Sequence, residues 1–384
     1  MPRTVTRMDP ALPVSLFLCG DVMTGRGIDQ ILPHPGQPQL TESVARSALD
    51  YVRLAERVSG PIRRPADFSY VWGDALAELR HQRPDARIIN LETALTTSAH
   101  PWPGKAVHYR MHPANAACLT AAAIDCCTLA NNHLLDWGRL GLTETLDTLH
   151  RAGIHCAGAG RNDAAAQAPA ILELPGKGRL LVFSCATDDS GVPAEWSAGP
   201  GQPGVCRLAD LSPAALQDVA ERVHGEKRPG DLAVLSIHWG SNWDFTVSRE
   251  ARDFAHGLID TAGVDLVHGH SSHHIKAIEI HRGRPILYGC GDFLNDYEGI
   301  QGYDAFGSGF SFMYFPVLDA ASGQLLSFTL VPTEIRALQV RHAGMAGADW
   351  LFNTLSRESR PFGTDVVRES DGRFRLQWER GTTR

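Results

Sequence analysis

The chain predicts an α/β protein built on two stacked sheets flanked by helices. Short apolar runs ending in polar clusters recur at residues 14–19, 86–91, 125–130, 179–185, 231–237, 264–268 and 285–289, with helical patterns between several of them. That alternation of strand and helix is the mark of an α/β fold. The stretch 276–334 is mostly strand-like instead, which a two-sheet sandwich accommodates better than a single doubly wound sheet.

Taken in order, residues 1–13 read as an N-terminal tail without a hydrophobic stretch of signal length. Val14 to Cys19 is too short for a secretion signal or a membrane span and runs straight into Gly20-Asp21. Residues 26–69 read as an insertion rich in proline (Pro33, Pro35, Pro38, Pro61, Pro65) with one helix around Ser43–Val58. Tyr70 to His81 is amphipathic. Gly138 to Ala152 carries apolar residues at Leu140, Leu142, Leu146 and Leu149 and stops at Gly153; Arg249 to Ala262 stops in the same way at Gly263. The stretch 97–113 is a long loop of the kind that often binds ligands, and 188–205 reads as a lid. Phe310 to Phe315 and Gln324 to Val331 are expected strands. They close a domain spanning 14–334, and 335–384 is left as a helical appendage and tail.

Composition narrows the function. With 43% hydrophobic and 21% charged residues the chain is globular. A net charge of −7 and a pI near 6.2 argue against nucleic acid as a partner. The eight cysteines form no CxxC pair, and Cys19, Cys126, Cys127, Cys185 and Cys290 fall in apolar runs, which fits reduced thiols in a soluble, cytoplasmic protein with no membrane partner.

Five polar clusters sit where strands should end: Gly20-Asp21-Val22-Met23, Asn90-Leu91-Glu92, Asn131-Asn132-His133, His238-Trp239-Gly240 and Gly269-His270-Ser271-Ser272-His273. Singly, each has an ordinary structural role: Asp21 can cap a turn, Asn132 can satisfy a loop, His238 can be a bonded core histidine. Five together at strand ends point to an active site, because parallel strands deliver their C-terminal ends to one place. Hard oxygen donors with one or two imidazoles suit a divalent cation.

The order GDVM, NLE, NNHLLDWG, HWG, GHSSHH and GDFLNDY, from about Val14 to Tyr297, resembles the poly-γ-glutamate capsule-synthesis (CapA-like) family, a relative of the calcineurin-like metallophosphoesterases. The resemblance implies a four-layer αββα sandwich with its site at the strand ends. Against the dinuclear phosphoesterase pattern, the histidine expected two places after Asp21 is missing, and Gly-His-x-His reads Gly269-His270-Ser271-Ser272, with His273 one place later. The loss of imidazoles leaves Asp21, Glu92, Asn132, His238 and His273 as the expected metal ligands. They are read as holding one divalent cation, Ca²⁺ before Mg²⁺ or Mn²⁺, with no organic cofactor. His133, His238, His270, Asp21 and Asp292 are the expected catalytic groups, with Asp136, Asp292 and Asp296 as carboxylates that orient the imidazoles. Arg26, Lys105, Arg110, Arg161 and Trp239 are expected to contact substrate, and Trp102 and Trp243 could add aromatic walls.

Three functions follow in order of preference. Freed histidines suit acid/base epimerisation at the Cα of the C-terminal, tryptophan-like residue of a ribosomal precursor peptide, as in the lasso-peptide branch that the motifs resemble, with that peptide as partner. Metal-dependent hydrolysis of a phosphoester or γ-glutamyl amide comes second, and a non-catalytic scaffold third.

Overall fold

The computed structural model describes residues 12–40, 42 and 45–379. Most of the expected N-terminal tail, the last residues of the C-terminal tail, and Ser43 and Val44 at the start of the expected insertion helix lie outside the described residues. The chain enters the first sheet with β1 (Pro13–Val22), β2 (Ala86–Leu91), β3 (Cys126–Thr128) and β4 (His155–Ala157). It then builds the second sheet from β5 (Gly178–Thr187), β6 (Leu232–His238), β7 (Leu266–His270) and β8 (Arg284–Leu287). It returns to the first with β9 (Asp292–Leu294), β10 (Phe310–Asp319), β11 (Leu325–Arg336), β12 (Thr364–Arg368) and β13 (Phe374–Trp378). Among the described residues the first sheet has ten strands, ordered β12-β13-β11-β10-β1-β2-β3-β4 along its main path with β9 beside β1. The second has seven, with β5-β6-β7-β8 parallel at its centre.

Side-chain alternation along the strands assembles four layers. In β1, Leu16 and Leu18 face the second sheet and pack with Val182 of β5 and Val234 of β6. Phe17 and Cys19 turn the other way, against helices α1 (Ala48–Ser59), α2 (Ala75–Gln82) and α3 (Gly138–Arg151). In β5, Leu181 and Phe183 face outward onto α4 (Pro213–Glu226) and α5 (Arg249–Asp260). Because both faces of the central strands are covered, their sequences read as unbroken apolar runs, which is what made them visible. The αββα sandwich implied by the resemblance is the fold observed.

Other segments differ from expectation. The stretch beyond 335 does not stand apart: β12 and β13 extend the first sheet through β11, and Leu351 and Leu355 of α6 (Met345–Ser359) pack into the layer between the sheets. No long hydrophobic run marks these strands, since Phe374-Arg375-Leu376-Gln377 alternates with only one buried face. The segment 188–205 is tied down, with Trp196 buried edge-on to Trp102. The insertion is joined to the sheet by α1, whose Ser47/Asp50 capping box fixes its start. All eight cysteines are free thiols. No helix among the described residues is long and apolar enough to cross a membrane.

The end of β1 depends on Gly20. A Cβ there would lie 1.7 Å from the Gly291 carbonyl oxygen, so β1 and the turn into β9 can be this close only without a side chain. Gly20→Ala is therefore expected to destabilise the protein by more than about 3 kcal/mol, the range of severe steric lesions in a core. Chemical denaturation within about 1 kcal/mol of the parent would contradict this packing.

Candidate metal centre

Register brings the polar strand ends together. In the first sheet Asp21 pairs directly with Asn90 on β2 and with Asp292 on β9; in the second, His238 pairs with His270. All five residues are buried. Asp21 accepts a hydrogen bond from Asn90 Nδ2 at 2.6 Å and another from the Ser271 amide at 3.2 Å. Asn131 Nδ2 then braces Asn90 Oδ1 at 3.1 Å. Ser271 holds its amide there with φ at 96°, a left-handed backbone that a serine adopts at some cost.

Two donor groups share Asp21: Asp21 with His238 and His270, and Asp21 with His273 and Asp292. His270 Nδ1 lies 3.7 Å from Asp21 and 2.8 Å from His238 Nδ1, while its Nε2 is 2.8 Å from Ser236 Oγ. His273 Nδ1 is 2.8 Å from Asp292, whose other oxygen accepts from Asn295. Glu92 closes the centre, 4.0 Å from His238 Nε2 and 3.7 Å from His133 Nε2. Behind it His133 Nδ1 meets Asp136 at 2.6 Å, and the Tyr109 amide donates to the same carboxylate oxygen.

The electrostatics of these groups favour a cation. Burial, then the Asp292 charge, push the Asp21 carboxyl up to about 7. Burial and Asp21 push Glu92 up as well. His238 and His270 are driven down, chiefly by burial and then by neighbouring histidines, so both are neutral imidazoles with lone pairs to give. Burial also lowers His273, but the Asp292 charge, its hydrogen bond and Asp21 outweigh it, and the net shift is upward. Glu92 Oε2 and His238 Nε2 are buried without a hydrogen-bond partner. Buried carboxylates, neutral imidazoles and two orphaned donor atoms at one spot fit a divalent cation.

The expected site residues divide between the centre, its flank, a neighbouring pocket and positions elsewhere. Asp21, Glu92, His133, His238, His270, His273 and Asp292 gather at the centre. Asn132 stands at its side, its Oδ1 buried without a partner and its carbonyl accepting from Lys105. Lys105 does not reach outward: its ammonium is bonded to Asp136 and lies 3.1 Å from His133 Nδ1. Arg26 lines a pocket of about 630 Å³ that opens at His273, beside Tyr51, Trp243 and Tyr297. Its charge is met by Asp296 and Glu42, and it packs 3.8 Å and 4.2 Å from the Tyr51 and Tyr109 rings. Three residues are not brought in. Arg161 forms an exposed pair with Asp147, Arg110 stacks 3.9 Å over Trp137, and Trp239 donates to the Tyr288 carbonyl facing a separate pocket. Sequence reasoning did not select Asn90, Ser236, Tyr109 or Tyr297 for the site. Asn90 and Ser236 each lie two residues before a selected residue and so on the same strand face, a usable signal; Tyr109 arrives from a loop and offers none.

A four-layer sandwich with a buried carboxylate–imidazole centre at the strand ends is a metallophosphoesterase-type architecture. Residues 15–297 match the profile of the family described as bacterial capsule synthesis protein PGA_cap, and the chain belongs to that family. It is 48% identical over 359 residues, 93% of this chain and 94% of the relative, to a probable polyglutamine synthesis accessory protein of Mycobacterium tuberculosis. It is 26% identical over 295 residues, 77% of this chain and 66% of the relative, to the PGA biosynthesis protein CapA of Bacillus subtilis. The capsule biosynthesis protein CapA of Bacillus anthracis is 24% identical over 283 residues, 74% of this chain and 60% of the relative.

The raised Asp21 value has a thermodynamic consequence. The unfolded chain ionises this carboxyl near its ordinary value of about 4, the metal-free folded protein only near 7. Between those values the folded state holds more protons, so Asp21's contribution to stability falls as pH rises from about 4 to 7. Asp21→Asn is expected to raise the melting temperature in a chelator at pH 7, with the gap closing toward pH 4. It is also expected to remove this centre's share of the stabilisation by divalent ions, about 2.7 kcal/mol at a hundredfold excess over Kd. A variant that melts lower than the parent at pH 7 and gains as much from metal as the parent does would contradict the assignment.

Proposed function

We propose that this protein is a divalent-metal-dependent hydrolase of an amide bond in an acidic, glutamyl-type chain. One observation carries the reading: two donor groups share Asp21, with the unpartnered Glu92 and His238 atoms beside them. Asp21, His238 and His270 would hold an ion on one side, and Asp21, His273 and Asp292 on the other. Three imidazoles among these donors suit a first-row transition ion such as Mn²⁺ or Zn²⁺ better than Ca²⁺. When bound, the ion supplies positive charge that makes water more acidic and offsets charge developing on the scissile carbonyl. The glutamyl substrate class is carried over from relatives named for polyglutamine synthesis and PGA biosynthesis.

His133 is the proton carrier in this reading. Burial lowers it to about 4, so it is neutral at pH 7 and able to accept a proton at Nε2, the nitrogen facing Glu92, from the water whose oxygen adds to the scissile carbonyl as the C–N bond breaks. Asp136 at Nδ1 fixes the tautomer and stabilises the imidazolium, which returns the proton to the leaving amine. Lys105 anchors the Asp136 carboxylate and so keeps the pair aligned. His133→Ala is expected to reduce kcat about 10²- to 10⁴-fold on oligo-γ-glutamate with Mn²⁺ or Zn²⁺, with metal binding retained. Appearance of new amine termini is the assay; no cleavage by the parent with any of these ions would sink the proposal.

A second reading, epimerisation at a precursor-peptide Cα, rests on a different observation. Two histidine–carboxylate pairs, His133–Asp136 at 2.6 Å and His273–Asp292 at 2.8 Å, belong to the same buried centre, as a base and an acid on opposite faces of a carbon would. In D₂O this reading expects deuterium at Cα of the terminal residue without chain cleavage. Cleavage without exchange favours the hydrolase.

A further inference from the structure

At the edge of the second sheet lies a third group of donors that shares no residue with the first two: His256, Glu279 and His281, with ligand atoms within 4.8 Å of one another. Helix α5 presents Arg252, His256 and Asp260 at four-residue spacing, hence along one face. The neighbouring strand Ile278–His281 presents Glu279 and His281 at two-residue spacing on one side. The two imidazoles stack in parallel, 3.8 Å apart and 10° from coplanar. His256 Nε2 lies 3.0 Å from Glu279 Oε1, and His281 Nε2 lies 3.0 Å from Asp260 Oδ1.

We propose that His256, Glu279 and His281 form a second, independent binding site for a borderline transition ion such as Zn²⁺. Two imidazoles and one carboxylate, with water in a fourth position, are a common Zn²⁺ donor set. With bonds of about 2.0 Å, donors around a tetrahedral ion stand about 3.3 Å apart, a spacing within reach of these side chains once one imidazole turns out of the parallel stack to aim its lone pair at the ion. Glu279 is already oriented for the task. The Tyr288 hydroxyl donates to its Oε2 at 2.7 Å, which leaves Oε1 toward the histidines. Asp260 steadies the His281 ring in the same manner. Both histidines remain partly open to solvent, giving an ion a way in.

The competitor is Arg252, whose Nη2 sits 2.8 Å from Glu279 Oε1. Its side chain is 42% exposed, so it can move into water when an ion arrives. An ion here would tie α5 to the sheet edge, a structural role separate from the chemistry at Asp21.

Equilibrium dialysis of the full chain against Zn²⁺ tests the site. His256→Ala and His281→Ala are each expected to bind one ion fewer than the parent, while Asp21→Asn keeps this ion. Arg252→Ala, which removes the competing guanidinium from a half-buried position, is expected to tighten Zn²⁺ binding by about fivefold, the upper end for a partly exposed ion pair. Unchanged stoichiometry in both histidine variants, or no tightening in Arg252→Ala, overturns the proposal. A parent that binds this ion alone, so that Asp21→Asn changes no stoichiometry, would count against the hydrolase centre alone.

Discussion

The burial of Asp21 between the two sheets is the constraint around which the site is organised. Its carboxylate stands one residue before the end of the central strand, in register with Asn90 on one side and Asp292 on the other. It is also the carboxylate to which the second sheet's His270 and Ser271 come closest. A charge in that position costs several kcal/mol unless it is hydrogen-bonded and compensated. Asn90 and the Ser271 amide offset part of the cost, and the remainder appears as an upward shift in the acid's pKa. A bound cation would remove that remainder.

Strand register enforces this arrangement. Along β1, alternate residues belong to different layers: Leu16 and Leu18 between the sheets, Phe17 and Cys19 beneath the helices. A slip of one residue would exchange the layers, and an irregularity between Leu18 and Asp21, where β1 advances three residues against two on β2, breaks the alternation and turns Asp21 toward His270. The same alternation on β6 places Ser236 and His238 on one face, so Ser236 holds the His270 ring that His238 meets. Packing of apolar side chains thus sets the positions of polar ones several residues further along.

Loops complete what the strands begin. The stretch 97–113 delivers Lys105 and Tyr109 to the far side of His133, where both bond to Asp136. The turn after β9 brings Asp296 to Arg26 and Tyr297 to the pocket wall. Arg26 is held in place by these partners, so its contribution to the pocket is shape and an aromatic-lined surface rather than a free charge.

The α/β class, the central strands and helices α3 and α5 were legible in the sequence because doubly covered strands and capped amphipathic helices leave strong local patterns. So were the strand-end residues of the centre, for Asp21, Glu92, His133, His238 and His270 sit beside those strands. The sequence did not reveal the incorporation of residues beyond 335, because strands buried on a single face carry a weak signal. Nor could it sort the arginines and lysines: Arg161 and Lys105 look alike as residue types, yet one is paired in solvent and the other is buried against Asp136. By itself the sequence determined which chemical groups are available and that they end strands. Only the tertiary structure decided which of them meet, because register across sheets and the path of loops depend on contacts between residues far apart in the chain, such as the pairing of Asp21 with Asp292.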